Sequence, residues 1–253
     1  MNDMPRTGRM GRKGQIVAGI AGLAIGASAV ALAAPAAQPS LDRSAMDQMI
    51  RDYILGHPEI IPEAMTKLQE RESAKLVSGS RAAIEKPFAG AWAGAEKPDV
   101  TLVEFYDYAC TYCKASVPDI DRLLREDKSL RVVFRELPIL SEQSDVAARV
   151  SLSAAKQGQE RFMAFHRRMF ATGKPTPAEI TAARTATGLD AAAVTRDLKA
   201  SDVQNEIDAN LTLARTLSLT GTPSFVIGNR ILSGAVGYEQ LKQAVAEARA
   251  AKG

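Results

Sequence analysis

Cys110 and Cys113 are the chain's only cysteines, and they directly follow an apolar run that predicts a buried strand. Their spacing allows one disulfide to join them when the pair opens a helix. At that position the unpaired N–H groups of the helix N-terminus favour the first thiol as a thiolate. The sequence therefore predicts a redox-active dithiol, in which Cys110 attacks and Cys113 closes the disulfide.

Two other readings of the cysteine pair are a structural disulfide and half of a zinc site. A bridge that closes so small a loop removes little chain entropy from the unfolded state, so it would stabilise the fold poorly. Zinc takes four nitrogen or sulfur ligands, and the two histidines, His57 and His166, are remote in sequence from the cysteines. The spacing therefore favours redox chemistry and predicts no metal ligands.

The N-terminus has the pattern of a secretory signal. Four cations precede an uncharged stretch of small and apolar residues at 15–34. Small-residue cleavage sites follow Ala33 and Ala37, so we expect residues 1–37 to be a signal peptide. A membrane anchor is the alternative, although the many Ala and Gly residues make the stretch weakly hydrophobic.

The charge balance changes when this segment is removed. Arg6, Arg9, Arg12, Lys13 and Asp3 give the segment a net charge of +3, which is the whole formal charge of the chain. The mature protein is then near neutral, so the sequence gives no indication of nucleic-acid binding. Export also places the cysteines in an oxidising compartment, and we expect the protein to be periplasmic.

Residues 40–86 predict an N-terminal helical arm in two pieces. Apolar residues recur at helical spacing before Gly56, and Pro58 begins a second piece that we expect to run to about Lys75. The apolar stripe of these helices must be buried, either against the following domain or against other copies of the chain. The sequence leaves both alternatives open.

Residues 87–98 are rich in Gly and Pro and predict the boundary of a domain at 87–253. A strand, a helix and a second strand follow, and they form a βαβ unit. A helical insert is predicted at about 141–219, and after it come a hairpin and a last helix. The predicted segments are 100–106, 110–126, 130–137, 146–156, 160–170, 177–187, 191–200, 202–217, 224–227, 230–232 and 238–251.

Aromatic and methionine residues of the insert recur at helical spacing and predict core packing rather than a substrate groove. They are Phe162, Met163, Phe165, Met169 and Phe170. His166 lies among them without a recognisable sequence partner. We expect it to be a surface or capping residue and not a catalytic base.

The motifs together resemble the DsbA-like branch of the thioredoxin superfamily. The resemblance rests on two motifs. The first is Tyr-Asp-Tyr-Ala-Cys-Thr-Tyr-Cys-Lys at 106–114, after a Val-Glu-Phe strand, and the second is Thr-Pro-Ser-Phe at 222–225. The resemblance runs from about Val100 to the C-terminus. It implies an α/β protein with a thioredoxin fold that contains an inserted helical domain, preceded here by the helical arm.

The resemblance also implies roles for individual residues. The Thr222–Pro223 bond is expected to be cis and to place its loop against the disulfide, where a substrate chain can add as a strand. Glu104 matches the family's buried acid, which would have a raised pKa and relay the proton of Cys113. Its alternative is an ordinary solvent-facing strand residue.

The residues between the cysteines are Thr111 and Tyr112, where the family's oxidants commonly carry Pro-His. With no cation between the cysteines, a less oxidising couple is expected. Lys114 directly after them could compensate in part, although a lysine at that point of a helix more often faces water. The segment at 49–59 is similar to the appendage of DsbA-like proteins of the copper-sensitivity-suppressor (ScsC) type. In some relatives that appendage forms a homo-oligomer.

The expected function is therefore that of an exported thiol–disulfide oxidoreductase, acting as an oxidase or as an isomerase or reductase. Its partners would be substrate proteins with cysteines and a membrane redox protein that resets the pair, and the chemistry requires no cofactor. Two alternatives are a dithiol protein that binds a soft metal such as copper and an envelope chaperone or scaffold.

Overall fold

The computed structural model describes residues 42–251, so the predicted signal segment lies outside the described residues. The chain divides into two units at Tyr53 and Ile54. The first unit contains most of helix α1 (Arg43–Gly56), in which no residue is buried. Among residues 42–251, no helix combines the length and the apolar character that a membrane span requires.

The second unit begins with the long helix α2 (Ile60–Glu85). The prediction that this helix ends near Lys75 is wrong. The polar run that suggested an end is followed by Val77 and Ile84, which are both buried against the sheet. The last turns of α2 therefore pack in the core of the second unit.

A five-stranded sheet lies at the centre of the second unit, with the order β1-β3-β2-β4-β5. Strands β2 and β3 are parallel and the other neighbours are antiparallel. The strands are β1 (Trp92–Gly94), β2 (Val100–Tyr106), β3 (Leu130–Glu136), β4 (Ser224–Ile227) and β5 (Arg230–Ser233). The edge strand β1 was missed because it is short and lies inside the Gly- and Pro-rich segment 87–98.

Helix α3 (Thr111–Glu126) connects β2 to β3, and helix α9 (Tyr238–Ala250) follows the hairpin. Both pack on the sheet face that carries Leu102, Tyr106 and Phe134. The opposite face carries Val103, Phe105 and Val133, and it packs against α2 and α8. The alternation of side chains along β2 and β3 thus supplies both cores.

The helical insert lies between β3 and β4, as predicted. Its five helices are α4 (Glu142–Lys156), α5 (Gln159–Thr172), α6 (Pro177–Ala186), α7 (Ala191–Asp197) and α8 (Ser201–Thr216). Phe162, Met163, Phe165, Met169 and Phe170 on α5 are all buried, which confirms the prediction of core packing. The fold is the predicted thioredoxin fold with a helical insertion.

Candidate active site

Cys110 lies at the junction between β2 and α3, and it is the N-cap residue of that helix. Its sulfur accepts a hydrogen bond from the backbone N–H of Cys113 at 3.2 Å. The sulfur thus takes the place that a Ser or Asp oxygen takes at an ordinary helix start. At this place the N–H groups and the helix dipole both stabilise a negative charge on sulfur.

The two thiols, which are both reduced in this structure, differ in their environments. Hydrogen bonds from the Cys113 thiol and from backbone N–H groups lower the pKa of Cys110 to about 6, against the opposing effect of burial. Burial raises the pKa of Cys113 far above its usual range, and its hydrogen bond to Cys110 raises it further. At neutral pH the pair therefore holds one thiolate, on Cys110, and one thiol, on Cys113.

The loop before β4 approaches the same sulfur from the other side. The Thr222–Pro223 peptide bond is cis, as the resemblance implied. When it is protonated, the Cys110 thiol donates to the backbone carbonyl of Thr222 at 3.2 Å, and the Pro223 carbonyl accepts from Gly234 N–H at 2.8 Å. The structure thus brings Cys110 and the Thr222–Pro223 loop together from positions 112 residues apart in the chain.

Glu104 is buried in the middle of β2, with an exposed fraction of 1%. Neither of its carboxylate oxygens has a hydrogen-bond partner among the described residues. Burial raises the pKa of Glu104 to about 8, and the charge of Cys110 contributes to this rise. In turn, Glu104 lies close enough to Cys113 to raise the pKa of that thiol. The solvent-facing alternative for Glu104 is therefore wrong.

The residues between the cysteines point away from the core. Thr111 is exposed and Tyr112 has an exposed fraction of 68%, and Lys114, directly after the pair, is exposed as well. The Tyr112 ring thus presents exposed apolar surface next to Cys110. It supplies no positive charge to the thiolate.

His166 is buried, which contradicts the expectation of a surface or capping residue. Its ring packs among Tyr106, Phe134 and Phe170, and its Nδ1 lies 3.3 Å from the hydroxyl of Tyr108. Burial lowers the pKa of His166 to about 3, so the imidazole is neutral. The hydrogen-bond partner could not be read from the sequence, because Tyr108 and the ring-packing residues Tyr106 and Phe134 lie far from α5 in the chain.

The same buried region holds two tyrosine hydroxyls and a carboxyl group. Tyr106 donates to Glu136 at 2.9 Å, and the Tyr108 hydroxyl lies 2.9 Å from that of Ser151 on α4. These contacts join the helical insert to the end of β2. The Tyr108 hydroxyl also lies 3.3 Å from Nδ1 of His166, so this polar atom of the buried imidazole has a partner in a core of aromatic rings.

Asp107 was not among the candidate residues, yet its carboxylate lies in the turn that leads to Cys110. It accepts a hydrogen bond from the backbone N–H of Ala109 at 2.7 Å. A side chain that bonds the backbone two residues ahead is an Asx turn, and Asp directly after a strand is a sequence signal for it. Over residues 42–251, no three His, Cys, Asp or Glu side chains converge in a way that could hold a metal ion.

A thioredoxin-fold sheet, a dithiol at a helix N-terminus and a cis-proline loop facing it define a class of thiol–disulfide oxidoreductases. A model of the DSBA-like thioredoxin domain matches residues 101–246, so the chain belongs to that family. A model of the copper resistance protein ScsC N-terminal domain matches residues 42–75.

Individual proteins resemble the chain over different lengths. A thioredoxin-like oxidoreductase from Silicibacter pomeroyi is 38% identical, with a TM-score of 0.62 over 66% of this chain and 95% of that chain. A linker-deletion mutant of Proteus mirabilis ScsC is 30% identical, with a TM-score of 0.65 over 87% of this chain and 100% of that chain.

A third similar protein is much longer than this chain. Na(+)/H(+) antiporter NhaA 1 from Salinispora arenicola is 29% identical over 158 residues, which are 61% of this chain and 24% of the antiporter. The chain thus spans about a quarter of the length of this relative.

Proposed function

We propose that the protein exchanges disulfides with the cysteines of substrate proteins, with Cys110 as the nucleophile and Cys113 as the resolving thiol. The observation that carries the proposal is the position of the Cys110 sulfur as the N-cap of α3, with Cys113 buried behind it. Cys110 is ionised and keeps an exposed fraction of 6%, whereas Cys113 has none. Cys113 stays protonated until it attacks the mixed disulfide.

The proposed disulfide exchange proceeds in two steps. The Cys110 thiolate attacks one sulfur of a substrate disulfide, a mixed disulfide forms, and the other substrate sulfur leaves as a thiolate. Cys113 then loses its proton and attacks the Cys110 sulfur, which forms the Cys110–Cys113 disulfide and releases the second substrate thiolate. The substrate is reduced and the protein is oxidised. The reverse sequence oxidises a substrate dithiol.

Glu104 is the proposed acceptor of the Cys113 proton. In the reduced protein the negative charge on Cys110 contributes to the raised pKa of Glu104. Formation of the mixed disulfide removes that charge, so the carboxylate of Glu104 becomes available when Cys113 must ionise. The Thr222–Pro223 loop is the proposed place where an extended substrate segment pairs with the backbone.

The direction of exchange depends on the reduction potential of the pair. No positive charge lies between the cysteines, and the exposed Tyr112 stands where a cation or histidine would stabilise the thiolate further. This arrangement favours a less oxidising couple, so we propose the isomerase or reductase direction rather than the oxidase direction.

The proposed location is the periplasm, after export by the N-terminal signal and with a membrane redox protein that resets the pair. The support is the sequence pattern of residues 1–37 together with the chemistry of the dithiol. Self-association through the N-terminal helices is also proposed. Apolar side chains on α1 and on the first turns of α2 are exposed: Met49, Ile50, Ile61, Met65 and Leu68.

The test is the equilibrium of the Cys110 and Cys113 pair against a series of glutathione buffers, with the mass of the assembly measured alongside. We expect a reversible two-electron titration, a potential below that of strong disulfide donors, and a mass above that of one chain. A strongly oxidising couple in a monomer would instead make the protein a disulfide donor. A pair with no redox equilibrium would contradict the enzymatic proposal and favour the metal-binding or scaffold alternatives.

Replacing Glu104 with Gln should make the stability of the reduced protein less dependent on pH. In the unfolded chain this carboxyl ionises near pH 4.5, whereas burial holds its pKa near 8 in the folded protein. The folded state therefore binds more protons between these values, and its stability falls as the pH rises through that window. Each tenfold change in proton affinity corresponds to about 1.4 kcal/mol, so the benefit of Gln should reach several kcal/mol at pH 8.

The measurement is the free energy of unfolding in urea at pH 5 and at pH 8 for the wild type and Glu104→Gln. The matched control is Glu160→Gln, which removes one carboxylate from an exposed position on α5. Equal pH dependence in the wild type and Glu104→Gln would show that the buried carboxyl does not hold its proton. The same variant should also slow the release of substrate from the mixed disulfide.

A further inference from the structure

Asp107 is the first residue after β2, and its side chain has an exposed fraction of 2%. Its two carboxylate oxygens bond to different segments of the chain. Oδ1 accepts from the N–H of Ala109, and Oδ2 accepts from the N–H groups of Ile139 and Leu140, both at 2.9 Å. One buried carboxylate therefore takes three backbone donors from the ends of two adjacent parallel strands.

The first of these segments leads directly to the nucleophile. The Oδ1 bond to Ala109 closes a turn, and the backbone carbonyl of Asp107 accepts from Cys110 N–H at 3.0 Å within the same turn. These two bonds set where the chain enters α3. The Cys110 sulfur is therefore aligned with the N–H of Cys113 and with the Thr222 carbonyl, each at 3.2 Å, by a turn that Asp107 closes.

The second segment is the loop that follows β3. Leu137 N–H still bonds to the Tyr106 carbonyl at 2.7 Å, after which the chain leaves the sheet. Oδ2 of Asp107 then holds the next residues, and the side chains of Ile139 and Leu140 are exposed at this point. The carboxylate thus fixes an apolar loop beside the turn that carries Cys110.

We propose that Asp107 is a positioning residue for disulfide exchange, which holds the Cys110 turn and the Ile139–Leu140 loop in one arrangement through separate carboxylate oxygens. The inference rests on the proposed function, because it assigns Asp107 to the nucleophile of that reaction. The Asp107 side chain acts through these backbone hydrogen bonds, whereas the Asp107 backbone itself hydrogen-bonds to the Cys113 sulfur and lowers the pKa of that thiol.

A positioning role and a purely electrostatic role of Asp107 predict opposite results. Asp107 carries a negative charge three residues before Cys110, so removal of the charge alone would favour the thiolate and lower the pKa of Cys110. Loss of the turn would instead move the sulfur away from the N–H groups at the start of α3. The pKa of Cys110 would then rise from about 6.

The test measures the pH dependence of Cys110 alkylation by iodoacetamide in the reduced wild type, Asp107→Ala and Asp107→Asn, with the modified cysteine identified by mass spectrometry. We expect the Cys110 pKa to rise by about 1 unit in Asp107→Ala, which is a tenfold loss of thiolate well below pH 6. Asp107→Asn should show a smaller rise, because an amide offers one acceptor oxygen where Asp107 uses two.

The control is Asp119→Asn on α3, which removes one negative charge without removing a bond to the turn, and it should leave the Cys110 pKa near 6. If Asp107→Ala does not fold, the role of Asp107 is tested by two other measurements. These are the Cys110 pKa in Asp107→Asn and the hydrogen exchange of the Ala109, Ile139 and Leu140 amides. An unchanged or lowered Cys110 pKa in a folded Asp107 variant, or unprotected amides in the wild type, would overturn the inference.

The assay separates this inference from the proposed function. It needs no substrate and no redox equilibrium, so it reports on the thiol alone. A wild type with an ordinary Cys110 pKa would count against the proposed function itself. A wild type with a low pKa and an Asp107→Ala variant with the same low pKa would remove only the role of Asp107.

Discussion

Replacing Cys110 with Ser should reduce disulfide exchange by about a thousandfold or more, because no other group in the turn can form the mixed disulfide. Replacing Cys113 with Ser should have a different effect. The Cys110 sulfur would still attack a substrate, but the mixed disulfide would persist because nothing resolves it. The two variants therefore separate attack from resolution, although each removes a single sulfur atom.

The measurement is the reduction of a disulfide-containing protein by each variant, together with non-reducing electrophoresis of the products. Cys113→Ser should give a band at the summed mass of the protein and its substrate, and that band should disappear on reduction. The double variant is the control, and it should show neither activity nor adducts. Exchange activity in Cys110→Ser would contradict the assignment of the nucleophile. Persistent binding of unfolded chains by the double variant would instead favour the scaffold alternative.

The sequence predicted four of the five strands around the dithiol, β2 to β5, because these strands are short and are bounded by breaking residues. Residues 100–106 were placed correctly, and so was the hairpin around Gly228, where the backbone adopts a φ of +57°. The strand β1 could not be predicted from its own residues. It exists because Trp92 and Ala93 pair with β3 at the sheet edge, which is a tertiary contact.

The C-terminal end of α2 also could not be predicted from its own residues. Its amphipathic pattern weakens after Leu68, and only the packing of Val77 and Ile84 against the sheet explains why the helix continues to Glu85. A local pattern predicts that a helix forms, whereas its last turns depend on what they pack against.

The candidate site was predicted in part. The dithiol was predicted from its spacing together with its position between a strand and a helix, and the roles of Glu104 and Pro223 were reached only through the family resemblance. The burial of His166 depends on rings from β3 and from the turn before α3, which no local pattern of α5 contains. Asp107 uses donors from two segments, so its hydrogen bonds to Ile139 and Leu140 appear only when β2 and β3 are adjacent.

Replacing Arg135 with Ala should destabilise the protein by about 3–5 kcal/mol, which is the usual cost of removing one partner from a buried ion pair. Arg135 extends from β3 towards α2 and α8, and its side chain has an exposed fraction of 4%. Its guanidinium donates to the carbonyls of Ile84 at 2.9 Å and Lys86 at 2.7 Å, at the end of α2. It also contacts Glu206 at 3.0 Å on α8.

The loss of stability is expected to be large because the Arg135 guanidinium donates hydrogen bonds to the carbonyls at the end of α2. The last carbonyls of a helix have no partner within the helix, and here Arg135 supplies donors to them where water is excluded. Without the side chain, the carbonyls would lose their donor in the interior, and the half-buried carboxylate of Glu206 would lose its partner. Since a domain is typically stable by about 5–15 kcal/mol, this one substitution removes a large part of the total.

Urea unfolding of the reduced protein tests this prediction, with Arg168→Ala at an exposed position of α5 as the matched control. Arg135→Lys should recover only part of the loss, because an ammonium cannot reproduce the planar set of donors that reaches α2 and α8 together. The alkylation profile of Cys110 should remain that of the wild type, since Arg135 lies on the opposite face of the sheet from Glu104. A loss below about 1 kcal/mol would show that α2 is held by its apolar residues alone.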